Sequence, residues 1–155
     1  MKIDIKIVTG IVLVFLMISC SLESKFSLPN DEKIKPELLG EWYIEKDNTV
    51  RITILKNSDI SYKFLLNEKG NTEEFISFSK TIKGVNLLNI KTEYNGKTTN
   101  VFYGFNIKDN SLVLLEVNEK LRTEEFDSES DLLTFFENNI DKEDFFINPT
   151  KLKRK

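Results

Sequence analysis

The 155-residue chain has no histidine and a single cysteine, Cys20. These two counts remove most side-chain chemistry. Without an imidazole there is no Ser-His-Asp or Cys-His nucleophile system and no His-ligated metal site. One thiol forms neither an internal disulfide nor a multi-cysteine zinc site. Carboxylates, lysines, hydroxyls and tyrosines remain. The neighbouring acids Glu73-Glu74 and Glu124-Glu125 read as solvated strand ends. A carboxylate hydrolase needs two acids converging across a cleft, about 5–10 Å apart, and no such pair stands out. The six glycines are scattered, with no G-x-G-x-x-G or Walker-type phosphate loop. The net charge of −3 lacks the basic footprint of a nucleic-acid binder. The expectation is a protein with no catalytic residues, no metal and no cofactor.

The position of the lone thiol is informative. Lys2 and Lys6 precede an apolar run from Ile7 to Ile18, and Ser19-Cys20 follows it. The run is shorter than the roughly 20 residues that span a bilayer. It has the length of a signal-peptide core, roughly 7–15 residues. An uncleaved anchor or an ordinary secretory signal would share these features. Leu16-Met17-Ile18-Ser19-Cys20 resembles the bacterial lipobox, with Met17 and Ile18 bulkier than the commonest choices. That resemblance implies a leader over 1–19, lipid on Cys20 and a site in the bacterial cell envelope. Ser21 after the cysteine resembles the type released to an outer membrane. Residues 20–37, with Pro29 and Pro36 among polar residues, read as the lipidated Cys and an extended tether.

The elements that would position any site begin at Gly40-Glu41-Trp42. From Glu41 to Phe126 apolar residues recur with period two, as in a sheet with one buried face. Ile60, Tyr62, Phe64 and Leu66 form one such set, and Val101, Tyr103, Phe105 and Ile107 another. Ile76 and Phe78 continue the pattern, with Phe75 facing the other way. Turn residues separate the runs, and Asn95-Gly96 is suited to a type I′ hairpin. The pattern predicts strands near 41–47, 50–56, 59–66, 73–82, 85–93, 98–107, 111–118 and 120–126. Leu112-Val113-Leu114-Leu115 breaks the alternation, as a bulge or two-sided burial would. Ser128 to Asp131 fits a capping box, and Leu132, Leu133, Phe136 and Ile140 make a helical stripe. A last extended stretch, 144–153, contains Pro149 and is expected to be an edge strand at most.

Mainly β architecture follows: an antiparallel meander of about eight strands in one domain, 38–155, forming a small barrel or a strongly curved open sheet, with one C-terminal helix and a short final strand. Gly-x-Trp at the entry, the meander, the helix and the last strand together resemble a lipocalin. The resemblance implies a small barrel whose Trp42 closes one end. It also implies a basic residue, Arg122 or alternatively Lys120, packed across that ring. The second lipocalin motif is absent, and Lys108-Asp109-Asn110 stands near its place.

Tyr62, Phe64, Phe78, Tyr103 and Phe105 are the residues that would contact a ligand if the barrel is hollow, and core filling if it is not. The leading expectation is a membrane-anchored, non-enzymatic binding module for a small apolar ligand. The alternative is a solid β-domain that binds or inhibits a protein of the envelope. The basic tail from Lys151 to Lys155 reads as solvated.

Overall fold

The computed structural model describes residues 21–45 and 47–155. The apolar leader and Cys20 lie outside the described residues. Seven strands form the meander: β2 (Gly40–Ile44), β3 (Asp47–Ser58), β4 (Ser61–Glu68), β5 (Asn71–Ile82), β6 (Val85–Tyr94), β7 (Lys97–Lys108) and β8 (Ser111–Val117). A two-residue strand β1 (Glu23–Ser24) precedes them, and helix α1 (Glu129–Asn139) and strand β9 (Phe146–Arg154) follow.

All pairings are antiparallel, and within the meander the connections are too short for crossovers. Lys69-Gly70, Lys83-Gly84 and Asn95-Gly96 each place two successive residues at positive φ. That is the type I′ geometry which matches the twist of the flanking strands.

The sheet closes. β9 pairs with β8 on one side and β2 on the other, and β7 pairs with both β6 and β8. The result is an eight-stranded barrel, β2 to β9, with β1 outside the closed ring on the edge of β7. The fold class read from the sequence holds, with two changes in its parts. No strand spans 120–126: Glu119–Leu121 is a 3₁₀ turn, and Thr123, Glu124 and Glu125 are exposed. With one buried residue at its end, Phe126, that stretch has no inward face to bury.

The eighth strand is β9, and α1 is inserted before it. Pro149 does not confine β9 to an edge. It sits in a bulge, where Ile147 pairs with Glu116 and Thr150 with Leu114, so two residues of β9 oppose Leu115 alone. Proline is tolerated at such a position because the ladder is interrupted there.

Each strand has two faces, and this chain buries much of both. Inside the barrel, Trp42, Ile54, Tyr62, Phe64, Leu88, Phe105, Leu112 and Leu152 form one core. Outside it, α1 lays Leu132 and Phe136 on the outward residues Leu87, Phe102 and Phe78. Ser128 caps α1 by accepting from the Asp131 amide at 3.1 Å. Phe102 meets Phe136 edge-on at 5.3 Å, and Phe145 meets Phe146 at 4.8 Å. The Phe146 ring lies where a Cβ on Gly104 would stand, so only glycine fits at that point of β7.

Residues 21–37 are not a free tether. Leu22 and Leu28 are fully buried in the outer core. β1 pairs Glu23 with Val101 and Ser24 with Asn100, taking the edge of β7 where β8 has ended. Two buried asparagines on the outer wall hold the strap that follows. Asn89 accepts from the Leu28 amide at 2.9 Å and donates to Asn100 at 2.9 Å, and Asn100 donates to the Ser24 carbonyl at 3.3 Å. Composition hid this, because the strap's polar groups are met by partners distant in sequence.

The lower end of the strap is held by charge. Asp31 lies 2.6 Å from the Lys80 ammonium, and the Glu32 carboxylate accepts from the Thr81 amide at 3.0 Å. The Lys80 hydrogen bond lowers the Asp31 pKa. Partial burial pushes Glu32 up, but the bonds from Thr81 and Lys80 outweigh it and the net shift is downward. A lowered carboxyl pKa contributes stability above the ordinary carboxylate range, and loses it as pH falls through the folded value. Glu23 goes the other way: burial and the Glu119 charge raise it against Arg122, so its protonation relieves strain. Acid should therefore loosen the strap at Asp31-Glu32 and not at β1. In an NMR titration the Thr81 amide should follow a midpoint below the free glutamate value of about 4.3. Exchange protection should fall around residues 30–33 while the β1–β7 amides keep theirs.

Candidate functional site

The interior splits into a packed floor and an open upper half. The floor is built around the Gly-x-Trp entry. Trp42 is fully buried and donates its indole N–H to the Leu38 carbonyl at 2.9 Å. Arg154 stacks over its ring, with the guanidinium carbon 4.3 Å from the ring centroid. The same guanidinium donates to the carbonyls of Leu39 and Glu37, both at 2.6 Å.

Gly40, at φ +134°, has its missing Cβ where an Arg154 nitrogen lies, 2.6 Å away. Glycine is needed here both for the backbone and for the space. The basic residue expected across Trp42 is thus Arg154, at the end of the last barrel strand, and not Arg122. Arg122 lies outside the barrel, 5.8 Å from the Phe126 ring centroid, and donates to the Glu23 carbonyl at 3.0 Å. Lys120 is exposed in the 3₁₀ turn. Reading 120–126 as the eighth strand shifted the expectation by one element.

Tyr62 and Phe105 belong to the inner core below the cavity. The Tyr62 hydroxyl accepts from the Lys35 amide at 2.7 Å and lies 3.0 Å from the Ser79 hydroxyl. Burial raises its pKa in spite of these bonds, so the phenol stays neutral. Phe78 is not in the barrel. On β5 the inward residues are Phe75, Ser77 and Ser79, as their register against Phe64 and Tyr62 requires. Phe78 points outward into the core beneath α1 and the strap. Period two cannot tell the faces of a strand buried on both.

Above the floor is a cavity of about 100 Å³. Of the five residues read as ligand contacts, Phe64 and Tyr103 line it. Phe75, Ile90, Val101 and Leu114 complete an apolar wall. The rim is polar: Thr92, Glu116, Asn148 and Thr150. Glu116 is directly opposite Tyr103 on the neighbouring strand.

Asn148 is exposed and has φ +49°, the left-handed conformation of the bulge beside Pro149. Its amide donates to the Glu116 carboxylate at 2.8 Å. β2 pairs with β9 only over Leu152 to Arg154, so the upper half of β9 has β8 as its one strand partner among the described residues.

Sequence reasoning missed Glu116, and a signal was present. Leu112, Leu114 and Glu116 share one face of β8, so a charge falls in phase with two core leucines. Asn148-Pro149 was a turn signal inside an otherwise extended run.

Arg154→Ala should destabilise the fold by about 2–3 kcal/mol, since it removes charge-assisted hydrogen bonds and a cation–π contact. It should also shift the emission of Trp42, the single tryptophan of the chain. Arg122→Ala should leave that emission unchanged. Scans of the chain against protein-family models, curated proteins and solved structures return no match.

Proposed function

We propose that this protein is a non-enzymatic binding module of the bacterial cell envelope, anchored through lipid on Cys20. It takes a small apolar ligand, or the apolar part of one, into the upper barrel. The observation that carries this reading is the cavity. A barrel of eight strands is narrow enough to be filled by its own side chains, and the lower half of this one is. The upper half keeps about 100 Å³ between apolar walls and a polar rim. A volume of about 150 Å³ suffices for benzene in an engineered core, so the space here suits a slim unbranched chain, with its polar end at the rim, better than a ring. A solid domain working only through its outer surface would have no use for such a space. A hydrolase built on carboxylates would need two acids in the cavity, and Glu116 is the one acid on its lining.

The lipocalin-like reading is supported by the barrel, the Gly40-Glu41-Trp42 entry and the arginine stacked on Trp42. The anchor reading rests on the lipobox resemblance. Ser21, the residue after Cys20, is buried and its hydroxyl bonds the Phe102 carbonyl and the Val117 amide. An anchor at Cys20 would hold the barrel at the membrane surface, without the long tether that composition implies.

Two experiments test the two halves. Native mass spectrometry of the chain purified from its own envelope should release a small molecule at near one per chain. Val101→Phe, which fills the cavity, should abolish retention without unfolding the protein, and retention by that variant would refute the cavity as the site. Metabolic labelling with a fatty acid should mark the wild type and not Cys20→Ala. Equal labelling of both, or of neither, would refute the anchor.

A further inference from the structure

Among the described residues, Glu116 is the only charged side chain on the lining of the cavity. It stands at the mouth of a space lined otherwise by apolar and aromatic side chains and by the neutral polar residues Thr92, Asn148 and Thr150. No lysine or arginine forms an ion pair with it among the described residues. It accepts a hydrogen bond from the neutral amide of Asn148 at 2.8 Å, which engages one oxygen of the carboxylate. A carboxylate beside apolar surface is costly unless its charge is matched and its lone pairs are used.

The surroundings are those an ammonium group would use. Thr150 and Thr92 bring hydroxyl oxygens to the same rim, and Thr92 already spends its proton on the Thr99 carbonyl at 3.2 Å, so its oxygen is an acceptor. The Tyr103 ring is the direct cross-strand neighbour of Glu116, and aromatic faces attract cations. An anionic ligand head would meet Glu116 as a like charge.

Resting on the binding reading above, we infer that the ligand carries a primary ammonium on a short apolar body, with the ammonium held by Glu116 at the rim and the body in the cavity. The bulge at Asn148-Pro149 is part of this arrangement. It breaks the β8–β9 ladder opposite Leu115, and so gives room at the rim and turns Asn148 toward the carboxylate. Bulges are common beside sites for this reason.

The test holds the apolar body constant and changes the head. The purified full chain is titrated at pH 7 and low salt with n-pentylamine, 1-pentanol and pentanoate. The shifts of the Ile90, Val101 and Leu114 methyl groups are followed by NMR. Pentylamine should bind at least about tenfold tighter than pentanol, as a charge-assisted contact in an apolar setting predicts, and pentanoate should bind weakest. Raised salt should weaken the amine and spare the alcohol.

Glu116→Gln keeps an oxygen for Asn148 to donate to. It should bring the amine down to the level of the alcohol measured on the same variant. Equal binding of amine and alcohol by the wild type, or an amine preference that survives in Glu116→Gln, overturns the ammonium assignment and leaves the apolar site standing. Absence of shifts with all three compounds overturns the binding reading as well. The wild-type ratio decides the matter independently of how the variant folds.

Discussion

The structure depends on how the last nine residues of the fold close the sheet. β9 must pair with β8 over nearly its whole length, Phe146 to Lys153, and with β2 over its last residues, and that second contact is short, Trp42 with Arg154 to Ile44 with Leu152. What fixes it is Arg154. Its guanidinium covers the Trp42 ring, bonds two carbonyls of the entry turn and occupies the space left by Gly40. A planar, permanently charged fork suits such a seat, where stacking and two hydrogen bonds are met together. The start and the end of the domain are thereby clamped at one end of the barrel, and the floor of the cavity is sealed.

Closure at the bottom and looseness at the top are complementary. Sealing uses the large side chains, Trp42, Tyr62 and Phe105, in the lower half. Above them the inward residues of the facing strands leave a gap, and the β8–β9 bulge lies beside it. The side chain this exposes to the cavity is a carboxylate on an otherwise apolar strand face. A charge at that position has no ion pair among the described residues.

The outer core has a different purpose. A small barrel has little interior, and burial of its outward faces adds a second apolar layer. The connection through α1 and the strap from Ser21 to Lys35 supply that layer and meet around Phe102 and Leu22. The strap replaces the flexible spacer expected at the N-terminus. Its order comes from Asn89, Asn100, Thr81 and Lys80, all on the barrel wall.

The sequence by itself determined the strand-rich character, most strand spans, the hairpin turns at Asn95-Gly96 and its like, and the cap and stripe of α1. These are local properties: period two, period 3.6 and backbone preferences at turns, each decided within a few residues. The absence of histidine and the lone thiol also bounded the chemistry without any structure. Only the tertiary structure decided that β9 and not 120–126 is the eighth strand, that Arg154 and not Arg122 covers Trp42, and that Phe78 faces out. It likewise decided that residues 21–35 are packed and that Glu116 stands on a cavity. Each of these depends on which distant segment covers which face, and strands buried on both sides give the same apolar signal whichever way they point.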